Sequence, residues 1–164
     1  MRIVCLLCLI LTLAGCAAPV WETVEDFVPA EPAGLWQEDA YCIEIGVPEG
    51  IALTEQSPTG CLYEGEQMTV ETMTFLSSDY HGAVEQISGF SSDRLHILQT
   101  DRFGMPEYQF AWVSQAEEGA RLHRADLVMD GTVCYAVVCT VPEGTAAMEE
   151  VSAVFSTFGL SDRT

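Results

Sequence analysis

Residues 107–141 read EYQFAWVSQAEEGARLHRADLVMDGTVCYAVVCTV, and this stretch decides the fold. Three runs, Glu107–Gln115, Ala120–Met129 and Thr132–Val141, are rich in β-branched and aromatic residues and are parted by Glu118-Gly119 and Asp130-Gly131. Runs of that length between turn dipeptides predict strands. Asp-Gly is a hairpin signal because tight turns need positive φ, so an antiparallel meander is expected. Tyr108, Phe110 and Trp112 share one face of the first run, a pattern better suited to core than to a ligand platform. The third run, TVCYAVVCTV, is apolar on both faces, as a strand covered on both sides should be. Pro142-Glu-Gly144 stops it. Ala147, Met148, Val151, Val154, Phe155 and Phe158 then make one apolar helical stripe, closed by Gly159.

Working outward, Tyr41, Ile43, Ile45 and Val47 alternate with other residues, which predicts a strand over 41–47. Residues 55–60, with Pro58 and Gly60, read as loop. Met68–Leu76 is β-rich, and Ser78 is placed to cap a helix carrying Tyr80, Ala83, Val84 and Ile87 and closed at Gly89. Arg94–Thr100 reads as another strand. Val-Pro-Glu-Gly occurs at 47–50 and at 141–144; four residues are too few for a repeat unit, and each copy reads as a strand stop. The order predicts an α+β fold: an antiparallel β-sheet of about five to six strands with helices packed against it, a layered sandwich. The domain is expected over 41–164.

Tyr41–Gly50, a strand running into Pro-Glu-Gly, and Tyr135–Pro142 with the following helix ending in Ser156-Thr157-Phe158 resemble the PsbP-like family. Ile51 departs from the pattern, since members often carry an aromatic there. The resemblance covers most of 41–160. It implies a non-catalytic binding or assembly role and brings no catalytic set with it.

The N-terminus reads as an address. Residues 1–16 are MRIVCLLCLILTLAGC, with Arg2 in a positive leader and an apolar run from Ile3 to Leu13. That run is too short to span a bilayer, which takes about 20 residues of helix, and has the length of a signal-peptide core. Leu13-Ala14-Gly15-Cys16 resembles the lipobox of bacterial lipoproteins, which implies acylation of the Cys16 sulfur and cleavage before it. Two acyl chains give stable anchoring where one gives marginal binding. The alternative is an ordinary secretory cut at Ala14, Ala17 or Ala18. Residues 1–15 are thus the expected signal peptide and 16–40 a flexible acidic tether containing Trp21, Phe27 and Trp36. The expected location is the outer face of a cell membrane, with the lipid bilayer as one partner and a protein or small ligand as another.

Composition narrows the chemistry. The chain has 164 residues, a net charge of −19 and 49% hydrophobic residues, which suits one acidic globular domain and not a disordered chain. Every basic residue is Arg. There is therefore no Schiff-base or phosphate-loop Lys and no basic footprint, and nucleic acid is not an expected partner.

Past Cys16 the cysteines are Cys42, Cys61, Cys134 and Cys139. Export permits disulfides. Cys134 and Cys139 point to opposite faces of one strand and cannot bond each other. Cys42 and Cys61 are either a bridge, which would stabilise by about 3 kcal/mol, or buried thiols. Among these four there is no Cys-x-x-Cys, and no His-Glu-x-x-His, Gly-x-Ser-x-Gly or Asp-x-Asp-x-Asp-Gly motif occurs in the chain, so no metal, cofactor or catalytic residue is assigned. His81, His96 and His123 read as structural or surface residues. The competing expectations are a surface hydrolase using paired carboxylates or a Cys–His pair, and a weak Ca²⁺ sensor.

Overall fold

The computed structural model describes residues 41–145 and 147–162; the expected leader, lipobox and tether lie outside them. In chain order the elements are β1 (Cys42–Glu44), β2 (Ala52–Ser57), β3 (Gly60–Glu64), β4 (Thr69–Leu76), α1 (Tyr80–Ser88), a 3-10 turn (Ser92–Arg94), β5 (Ile97–Arg102), β6 (Met105–Ala116), β7 (Gly119–Asp130), β8 (Val133–Pro142), α2 (Met148–Thr157) and β9 (Gly159–Ser161). The fold is α+β. A 7-stranded antiparallel sheet runs in the order β2-β3-β4-β8-β7-β6-β5, and β1 pairs with β9 in a separate 2-stranded ribbon.

β8 sits at the centre of the sheet, and Cys134 to Cys139 are all buried, which accounts for its two-sided apolar run. Alternation sends Cys134, Ala136 and Val138 to one face, where they pack with Ala83 and Val84 of α1 and with Tyr108, Phe110 and Leu127. It sends Tyr135, Val137, Cys139 and Val141 to the other, against Val151, Val154 and Phe155 of α2 and the ribbon residues Ile43 and Leu160. The sheet is therefore the middle of three layers. Tyr108 and Phe110 are core, as expected, while Trp112 is only half-buried.

The structure differs from the sequence reading at its edges. Residues 55–60, expected as loop, belong to the β2–β3 hairpin over 52–64. The 41–47 strand shortens to Cys42–Glu44, and Arg94 belongs to the 3-10 turn, with β5 starting at Ile97. Asp79, not Ser78, caps α1: its side chain accepts from the Gly82 N–H at 2.9 Å. The β7–β8 turn is centred on Gly131-Thr132, because Asp130 pairs with Val133. Only Gly131 has positive φ there, as a turn with Gly at its first central position requires.

Candidate functional site

α1 has nine residues, too few to cover its face of the sheet. It shields the end bearing Tyr108, Leu127 and Met129 and leaves open the rows toward the β6–β7 turn. From the buried Val138 one row runs outward through Glu71 and Leu62 to Glu55, set by the β4–β8, β3–β4 and β2–β3 registers. The next brings together Trp112, His123 and Thr140. A cleft of about 270 Å³ lined by Glu55, Ser57, Leu62, Glu71 and Met73 lies at the outer side of this face. Desolvation, and then Glu55 two strands away, push the Glu71 carboxyl up. Two acids on one row share the cost of like charge, which a cationic or hydrogen-bond-donating ligand would relieve.

His123 is held from both sides. Its Nε2 is 2.7 Å from Ser114 Oγ, its Nδ1 is 2.9 Å from Thr140 Oγ1, and its ring stacks on Trp112 at 4.8 Å between centroids. Burial, and then Arg121, push the imidazole pKa down. The ring is thus neutral, accepting from one hydroxyl and donating to the other. Among the described residues no carboxylate lies on either nitrogen, so an imidazolium formed by taking the Ser114 proton would lack the counter-charge that supports a hydrolytic base.

On the opposite face a charged cluster ties α2 to the sheet. Arg102 of β5 pairs through Nε with Glu107 of β6, and through Nη2 with Asp126 of β7 at 3.1 Å. The Arg102 Nη1 donates to the carbonyls of Phe155 and Phe158 at 3.4 and 2.9 Å, at the C-terminal end of α2, where the Phe155 carbonyl also accepts from the Phe158 N–H. The Thr100 hydroxyl donates to Glu107, and Arg124 lies over the Phe155 ring at 5.1 Å. Both carboxyl groups are buried. Burial, and then Glu107, push Asp126 up to about 8 against the pull of Arg102 and Arg124. Burial alone would raise Glu107, but hydrogen bonds from Thr100, Asp126 and Arg102 outweigh it and hold that carboxyl low. Sequence reasoning missed this cluster. Its one signal is an acid inside the apolar run Ala125–Met129.

The lipobox residues Leu13, Ala14, Gly15 and Cys16 lie outside the described residues. Cys42 and Cys61 are free thiols on different sheets, Cys42 in the ribbon and Cys61 in β3. Cys134 and Cys139 are buried thiols on opposite faces, pushed by burial to about 11 and about 12. His81 is exposed and meets Ser92 through Nδ1, and His96 is exposed just before β5. The structure brings no thiol within hydrogen-bond distance of a histidine among the described residues. Nor does it gather three or more His, Cys, Asp or Glu side chains for a metal there. None of the described helices is long and apolar enough to cross a membrane.

No family model matches the chain, and no curated protein matches it in sequence. The fold is similar to a crystal structure from Bacteroides thetaiotaomicron VPI-5482, with a TM-score of 0.51 and 14% identity over 77% of this chain. The match covers 49% of that structure's length, so this chain spans about half of it. LpqN of Mycobacterium tuberculosis, a protein involved in cell envelope biogenesis, aligns with a TM-score of 0.49 and 13% identity over 75% of this chain and 85% of its own. The PsbP of the cyanobacterium Synechocystis sp. PCC 6803 (CyanoP) aligns with a TM-score of 0.48 and 9% identity over 80% and 98%. At these identities the likeness is one of fold.

Proposed function

We propose that the protein is an outward-facing binding or accessory module, held at a membrane by lipid on Cys16, that takes a cationic or hydrogen-bond-donating ligand on the open half of its α1 face. The observation that carries the binding role is the row Glu55–Leu62–Glu71 beside the Trp112–His123–Thr140 row, a polar and aromatic surface that α1 does not cover. The lipobox-like Leu13-Ala14-Gly15-Cys16 supports the anchor. Repulsion between an acidic domain and anionic headgroups leaves the lipid to supply the attachment.

Two measurements test this. Cys16→Ser should move the protein from the membrane fraction to the soluble fraction; retention on membranes overturns the anchor. Capture from native membranes should retain a partner with the wild type and lose it with Glu55→Gln/Glu71→Gln. Equal retention by both overturns the assignment of the face. A hydrolase is the second reading, favoured by the Ser114–His123 contact. It requires turnover that Ser114→Ala abolishes, and the lowered basicity of His123 argues against it.

A further inference from the structure

The sheet has two outer strands, β2 and β5, and they differ in how well they are guarded. β2 has a register break between Leu53 and Glu55, carries Glu55, and runs into Pro58. Bulges, charges and Pro are the devices that keep an edge from pairing. β5 has neither bulge nor Pro: its register with β6 is unbroken from Ile97 opposite Phe110 to Arg102 opposite Met105. The β5–β6 turn is the two-residue Phe103-Gly104, with φ of 58° and 77°. In such a turn the flanking pair, Arg102 and Met105, exchanges the first ladder hydrogen bonds. Alternation then directs the backbone groups of Leu98, Thr100 and Arg102 toward β6 and those of Ile97, Gln99 and Asp101 outward. No hydrogen bond among the described residues meets the outward groups. Leu98 and Phe103, each 58% exposed, are on this strand and at its tip.

We propose that β5 is a homodimer interface, pairing antiparallel with β5 of a second copy about a two-fold axis at Gln99. A two-fold axis normal to a continuous sheet keeps each residue on its own face. Of the registers this allows, the one centred on Gln99 matches all the outward groups: Gln99 meets Gln99 of the second copy, and Ile97 meets Asp101 on each side. Thr100 of the second copy then lies opposite Leu98, and Leu95 of the second copy lies opposite Phe103. No two like charges face each other. This edge is also where the chain is locally close to neutral, because Arg94 and Arg102 offset Asp93 and Asp101. Elsewhere the acidic surface would repel a second copy.

Sedimentation velocity on the full chain in a neutral detergent, across micromolar concentrations, tests the pairing. The wild type should sediment as a dimer that dissociates on dilution. Gln99→Lys and Gln99→Glu each place like charges face to face on the axis, and each should be monomeric with unchanged far-ultraviolet circular dichroism. Mixing the two variants should restore a dimer, because a lysine on one copy then faces a glutamate on the other; recovery in the mixture also shows that both variants are folded. A wild type that stays monomeric, a single variant that still dimerises, or a mixture that fails to associate overturns the proposal.

Discussion

Asp126 and Glu107 show what one buried proton does to a fold. Unfolded, the Asp126 carboxyl would ionise near its ordinary 3.8; folded, it holds its proton to about 8. Between those values the native state keeps a proton that the unfolded chain has released, so this group's contribution to stability falls as pH rises through that window. Glu107 has the opposite sign. Its carboxyl is held low, so its contribution is present above the ordinary glutamate range and is lost as pH falls through the lowered value. Asp126→Asn keeps an acceptor for Arg102 and removes the proton. It should be more stable than the wild type by at least about 1 kcal/mol at pH 9, with the difference shrinking toward pH 5. Urea denaturation at a series of pH values reads this directly; a variant that loses stability at every pH would mean that Asp126 is a native carboxylate. The cluster was invisible beforehand because strand alternation places Glu107 and Asp126 on a face but cannot say that Arg102, from another strand, stands between them. Only the β5–β6–β7 registers bring the three together.

At the level of elements, legibility tracked burial. The meander and α2 could be read because each carries an apolar pattern fixed by the core it faces: both faces of β8, one stripe of α2. β2 could not, since all six residues of ALTEQS are exposed and an edge strand open on both faces has no pattern to show. β9 has three residues, shorter than any periodicity can reveal, and it pairs across almost the whole domain with β1, whose strand the alternation over 41–47 did show. The α1 cap moved by one residue for a local reason: Ser77 uses its hydroxyl to bond the Asp79 carbonyl, and the Asp79 carboxylate reaches Gly82 N–H. Asp79→Ala should therefore cost about 1 kcal/mol, and Asp79→Ser should recover most of it. Thermal unfolding compares the pair. An Ala variant matching the wild type would show that packing of Ala83 and Val84, and not the cap, holds α1 in place.

For the molecule as a whole, the sum of charges matters more than any pair. The chain carries 25 acidic and 6 basic residues, yet among the described residues arginines meet acidic side chains only where Arg102 reaches Glu107 and the protonated Asp126 and where Arg121 reaches Glu118. The last is on the surface, where such a pair is worth little. Most carboxylates therefore face water and one another, and their mutual repulsion is smaller in the expanded unfolded chain than in the compact native one. Added salt screens repulsion between exposed charges, with a Debye length of about 10 Å at 0.1 M and about 3 Å at 1 M, and leaves the buried Arg102 cluster little changed. Sodium chloride should accordingly raise the melting temperature at pH 7, by about 3 °C or more from low salt to 1 M, where 1 kcal/mol shifts a domain of this size by a few degrees. Chloride is the right probe, since sulfate is excluded from protein surfaces and strengthens burial in any fold. A melting temperature that falls with chloride would mean that attractive pairs outweigh the repulsion, and the acidic surface would then have to be organised around its few arginines.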